Sequence, residues 1–116
     1  MVRQRDLRKR LIDHALAQPG AWLDHPWGED VAKVGKMVFV FFGVEGNTSD
    51  FGLGVKLPDS GPLALAQPGC TPMGYGLGKA GWVSVTFTPG MSFVMLRDWI
   101  DESYARVAPK KIAANR

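Results

Sequence analysis

Between residues 3 and 17 the apolar side chains Leu7, Leu11 and Ala15, joined by Ile12 and Leu16, recur every three or four positions, the period that lines one face of a helix. Gln18-Pro19-Gly20 ends that helix, because proline cannot continue the hydrogen-bond ladder and glycine suits the left-handed position past a helix end. Residues 21–30, with Trp22, His25, Pro26 and Trp27, are expected as an irregular connection packed down on the body. The rhythm then shortens to two. Residues 31–34 read as a short strand, Gly35-Lys36 as a tight turn and 37–44 as the longer partner, the glycine supplying the backbone freedom that a hairpin turn needs.

The segment 26–42 organises the rest, since MVFVFF at 37–42 is the most apolar run present. Alternation would aim Val38, Val40 and Phe42 at one sheet face and Met37, Phe39 and Phe41 at the other, so both faces need cover. After a turn at 45–49, Phe51, Leu53, Val55 and Leu57 alternate with Asp50, Gly52, Gly54 and Lys56, the pattern of a strand with one buried face and one thin or wet. Residues 58–62, PDSGP, break the sheet, and 63–67 suit a short helical turn before Pro68-Gly69 stops it. An extended piece at 73–77 leads to a last strand at 81–87, where Val83, Val85 and Phe87 face away from Trp82, Ser84 and Thr86. Thr88 is the expected N-cap and Pro89 the first residue of a long helix. Phe93, Leu96, Ile100, Tyr104 and Val107 form its apolar stripe, and Pro109 closes it. Residues 1–2 and 109–116 are expected to be disordered.

This order predicts an α+β fold of two layers: an antiparallel sheet of about five strands with the N- and C-terminal helices packed on one face. Two layers leave the second face bare. Because 37–42 is apolar on both sides, a homodimer is expected to cover it.

With 116 residues, 46% of them hydrophobic, the chain suits one domain, 1–116. The net charge of +3 matters less than its layout. Arg3, Arg5, Arg8, Lys9 and Arg10 crowd one end, Arg106, Lys110, Lys111 and Arg116 the other; such ends attract polyanions and equally make solvated helix faces. A lone Cys70 excludes an internal disulfide, and with two distant histidines it argues against structural zinc. The charged start and the lack of a long apolar run point to a cytoplasmic protein with no membrane partner. No cofactor, metal or small-molecule ligand is expected.

The glycines from Gly74 to Gly81 suggest a phosphate loop, but three residues rather than four separate Gly74 from Gly78, and Ala80 follows Lys79 where Ser or Thr is needed. Gly76, Gly78 and Gly81 fit a dinucleotide fingerprint that must open a helix, whereas a strand follows. His25 lies among Asp24, Glu29 and Asp30, residue types of acid-base catalysis. The plainer reading is a structural corner built of His25, Pro26, Trp27 and Gly28, with no catalytic residue. Cys70 has no basic neighbour in sequence to activate it. Lys33, Lys36, Lys56 and Lys79 recur on or beside strands, with Trp82 close to the last. Lysines beside aromatics suit nucleic-acid surfaces, and they also protect sheet edges.

Several of these residues together resemble the MmcQ/YjbR family of small bacterial proteins. They are His25-Pro26-Trp27-Gly28 ahead of the VAKVGKM of 31–37, the GVKL of 54–57, the TPMGY of 71–75 leading to Lys79 and Trp82, and a helix ending near Ser103-Tyr104. The family usually has a longer helix at 63–67, and often a histidine where this chain has Gly81. The resemblance implies a fold like that of secretion chaperones and frataxin-like proteins, and a double-wing mode of DNA binding. Carried over by position, Lys33, Lys36, Lys56 and Lys79 are the expected phosphate contacts, Trp82 a stacking or packing residue, and Arg8 and Arg10 on the first helix assist. Two alternatives stand beside DNA binding. One is a non-enzymatic interaction module using the open sheet face, whose protein partner would survive nuclease and high salt; the other is an enzyme centred on His25, which His25→Ala would inactivate.

Overall fold

The computed structural model describes residues 4–43, 51–74 and 76–110. The helix α1 spans Gln4–Leu16, followed by strands β1 Ala21–Asp24, β2 Asp30–Val34, β3 Met37–Gly43 and β4 Phe51–Lys56. A short helix α2, Gly61–Leu65, leads to β5 Cys70–Pro72 and β6 Trp82–Thr86, and α3 covers Phe93–Val107. The fold is α+β: the strands make one antiparallel sheet in the order β1-β2-β3-β4-β6-β5. The expected turn at 45–49 and the ends 1–2 and 111–116 lie outside the described residues.

The helical stripes land where their spacing predicts. Leu11 and Ala15 of α1 and Leu96, Ile100 and Tyr104 of α3 are fully buried, against Ala32, Val34, Val40, Phe42, Leu53, Val55, Val83 and Val85 of the sheet. Burial of this kind contributes roughly 25 cal/mol per Å² of apolar surface.

Five details differ from the sequence reading. Residues 21–24 are not irregular: β1 pairs with β2 along its whole length, Ala21 opposite Val34 and Asp24 opposite Val31, which brings the strands among the described residues to six. Phe39 does not alternate away from Val40. Val40 faces Ala32 and Val38 faces Lys33, so Phe39 is an extra residue in a bulge that turns its ring into the main core, edge-on to Tyr104 at 5.3 Å. The short helix begins at Gly61 rather than 63, because Pro62 has a preset angle suited to a first helical turn. Of the extended piece expected at 73–77, the described residues belong to no strand, and the extended pairing comes earlier, in β5. Finally, Ser92 caps α3 in place of Thr88: its Oγ accepts from the Met95 amide at 3.1 Å, while the Thr88 carbonyl closes a separate turn with Met91.

The face opposite the helices is not bare. Val31 and Trp82 are buried there outside the main cluster, and Phe41 meets Trp82 edge-on at 5.2 Å. A Cβ at Gly54 would come within 2.7 Å of Met73 Sδ, so the glycine side of β4 is covered by Met73 rather than wet. The chain's own side chains thus cover much of what a second copy was expected to cover.

A polar side chain is buried at the centre. Ser103 of α3 is fully buried; its hydroxyl donates to the Phe39 carbonyl at 2.5 Å and accepts from the Lys56 amide at 2.9 Å. Beyond the Val40–Val55 pair, the serine oxygen thus sits where β3 and β4 would otherwise bond directly. Replacing Ser103 with alanine leaves both backbone groups unpaired, so Ser103→Ala is expected to lose about 1–3 kcal/mol. The check is the urea midpoint, and an unchanged midpoint would contradict this role.

Candidate functional site

Antiparallel pairing decides which lysines share a surface. The two-residue turn Gly35-Lys36, with Gly35 at φ +61, closes the hairpin of β2 and β3 and leaves Lys36 exposed at its tip. β4 runs back toward that same end and finishes at Lys56, opposite Trp82, where β6 begins. The tight turn Leu77–Ala80 that carries Lys79 feeds directly into β6, and the Leu57 amide donates to the Gly81 carbonyl at 2.9 Å. Lys36, Lys56 and Lys79 therefore lie along one end of the sheet. Among the described residues none of the three has a carboxylate within ion-pair distance.

Lys33 stands one pair inside this end, but its charge is engaged. Its Nζ is 2.7 Å from Asp24 Oδ2 and lies over the Trp22 ring, 5.3 Å from the centroid. The hydrogen bond from Lys33, with a second from the His25 amide, holds the Asp24 carboxyl below its ordinary range. Trp82 is only 8% exposed and packs on Phe41, so of its two expected roles it takes packing. Arg8 and Arg10 are elsewhere. Arg8 donates to Asp30 at 2.6 Å and to the Gly43 carbonyl at 3.3 Å, at the opposite end of β2 and β3, and the Arg10 guanidinium stacks 4.1 Å from the centre of Phe93.

His25 precedes the tight 3-10 turn Pro26–Gly28, whose closing bonds run from the Gly28 amide to the His25 carbonyl and from the Glu29 amide to the Pro26 carbonyl. The Trp27 side chain lies outside the described residues. His25 Nδ1 is 2.6 Å from Asp30 Oδ1, and Arg8 holds the other oxygen of the same carboxylate. The set ties β1, β2 and α1 together, with the His25 ring 60% exposed. Burial would raise the Asp30 carboxyl, but the hydrogen bonds from Arg8 and His25 outweigh it and hold the group low. Cys70 is buried, which pushes its thiol up and away from nucleophilic use. Among the described residues no three His, Cys, Asp or Glu side chains gather as a metal would require. None of the described helices is long and apolar enough to cross a membrane.

Sequence reasoning missed Trp22. It is 43% exposed, on the edge strand β1 opposite Lys33, and its Nε1 donates to the Gly35 carbonyl at 2.9 Å. The available signal was the period-two alternation of Ala21-Trp22-Leu23-Asp24, too short to stand out beside Pro26.

Depressed carboxyls stabilise the fold above the unfolded value of about 3.9 and lose that contribution as pH falls through the folded value. Stability is therefore expected to drop below about pH 4. Asp30→Asn should flatten that drop and remove about 1–3 kcal/mol at neutral pH, read by urea unfolding across pH. An Asp30→Asn protein with the parent's midpoint and pH profile would refute the role of this carboxylate.

A protein-family model described as YjbR matches residues 16–106. The matched span contains all four lysines, the His25 corner and Trp82, and leaves out Arg8 and Arg10. No curated protein matches the chain.

Proposed function

The chain belongs to the YjbR family, and from that membership together with the lysine end of the sheet we propose that it is a cytoplasmic protein that binds DNA by its phosphate backbone. The observation that carries this reading is the alignment of Lys36, Lys56 and Lys79 along one end of the sheet without carboxylate partners among the described residues. Lysine ammonium groups act as point charges on phosphate oxygens and need no bidentate geometry. Lys33 contributes less, since contact with a phosphate must compete with Asp24. Arg8 and Arg10, which the sequence grouped with the lysines, take no part: one is bound to Asp30 and the other covers Phe93. Contacts of this kind position a protein on DNA without selecting a sequence.

Each neutralised phosphate releases condensed counterions, so three lysines give a slope of log affinity against log salt of about −2 for single strands and −2.7 for duplexes. Changing Lys36 and Lys79 together to glutamate should take roughly 1.4 to 1.8 out of that slope. The measurement is fluorescence anisotropy of a labelled oligonucleotide over a salt series. Binding by the double variant with the parent's affinity and slope would overturn the assignment.

A further inference from the structure

Trp22 is the residue at this end of the sheet that phosphate neutralisation leaves unused. Its surface is 43% exposed, against 8% for Trp82 and for Trp99. A large aromatic on an edge strand would gain by turning into the core, yet this one is held outward by polar contacts. The indole Nε1 donates to the Gly35 carbonyl at 2.9 Å, which fastens the ring to the turn that carries Lys36. Lys33 Nζ lies over the ring and is itself fixed by Asp24. The ring is thus oriented by contacts within the protein, so less side-chain entropy is lost when a ligand orders it.

The sheet order sets the path a ligand would follow. Across this end come Trp22 on β1, Lys33 on β2, Lys36 at the hairpin tip, Lys56 on β4 and Lys79 ahead of β6. Neighbouring strands are about 4.8 Å apart, so β1 and β4 are separated by roughly 14 Å. A duplex keeps the flat faces of its bases inside its own stack and presents only edges and phosphates, which gives Trp22 nothing to pair with. An unpaired strand presents those faces, and stacking on an aromatic ring tolerates any base.

Resting on the nucleic-acid reading above, we infer that Trp22 is a stacking platform for an unpaired base and that the preferred ligand is single-stranded nucleic acid lying across the strand ends. Trp22 stacks a base while Lys36, Lys56 and Lys79 follow the backbone.

The test compares a short oligothymidylate with a mixed-sequence duplex of equal length, using the whole chain. The parent should bind the single strand more tightly. Trp22→Ala should weaken single-strand binding roughly 5- to 150-fold, the range for one lost stacking contact, with duplex binding and the salt slope nearly unchanged because no charge is removed. Trp22→Phe should keep most of the affinity. Trp22→Leu, which retains apolar bulk without a π face, should lose as much as alanine, and it carries the test if alanine unfolds the edge strand. If Trp22→Ala and Trp22→Leu bind the single strand like the parent while the Lys36 and Lys79 double variant does not, the stacking role is overturned and the lysine reading stands. If the parent binds neither oligonucleotide, both are overturned.

Discussion

Four consecutive residues of α3, Asp101 to Tyr104, hold three different parts of the chain, and the sheet depends on the third of these residues. Successive helical residues point about 100° apart, so a stretch of four looks in every direction around the axis. Asp101 accepts from Gln18 and pairs with His14 of α1. Glu102 accepts the Asp59 and Ser60 amides and the Ser60 hydroxyl where α2 begins. Tyr104 donates to the Pro19 carbonyl. Ser103 enters the sheet itself and bridges the Phe39 carbonyl of β3 and the Lys56 amide of β4 beyond their last direct pair. In a low-dielectric core an unpaired amide and carbonyl are costly. The hydroxyl satisfies both and so fixes where β4 ends relative to β3.

That position bears on the proposed function. The end of β4 carries Lys56 and, through the Leu57–Gly81 bond, sets the approach of the turn that bears Lys79. Charges needed for construction are spent away from this rim or one step inside it: Arg8 on Asp30, Lys33 on Asp24, Arg10 over Phe93. The lysines left beyond them form the cationic edge on which the proposed function rests, and Trp22 borders it because the same hairpin turn supplies its hydrogen-bond acceptor.

Much of this was legible in the residues. Helical spacing placed Leu7, Leu11 and Ala15 on one buried or half-buried stripe and Leu96, Ile100 and Tyr104 on another, and the GK turn gave the hairpin. The bulge at Phe39 was not legible, since a run apolar at every position carries no mark of register. β1 was missed because four residues are too few to show a period beside a proline. For the site, the lysine positions could be found by resemblance, but their partners could not. Arg8 and Asp30 are 22 residues apart in the chain, and only the folded register shows that one cation is engaged and another free of such a pair. The burial of Trp82, which takes the packing role of the two expected for it, and the exposure of Trp22 likewise follow from pairing across strands.

The most direct test is hydrogen exchange at the Lys56 amide, followed by NMR under native conditions. If the serine hydroxyl closes the ladder, this amide exchanges as slowly as those of the β4–β6 ladder, opening only when the sheet as a whole opens. If it exchanges as fast as the amide of Lys36 in the exposed hairpin turn, β4 is not anchored at its end and the common edge built on it does not exist.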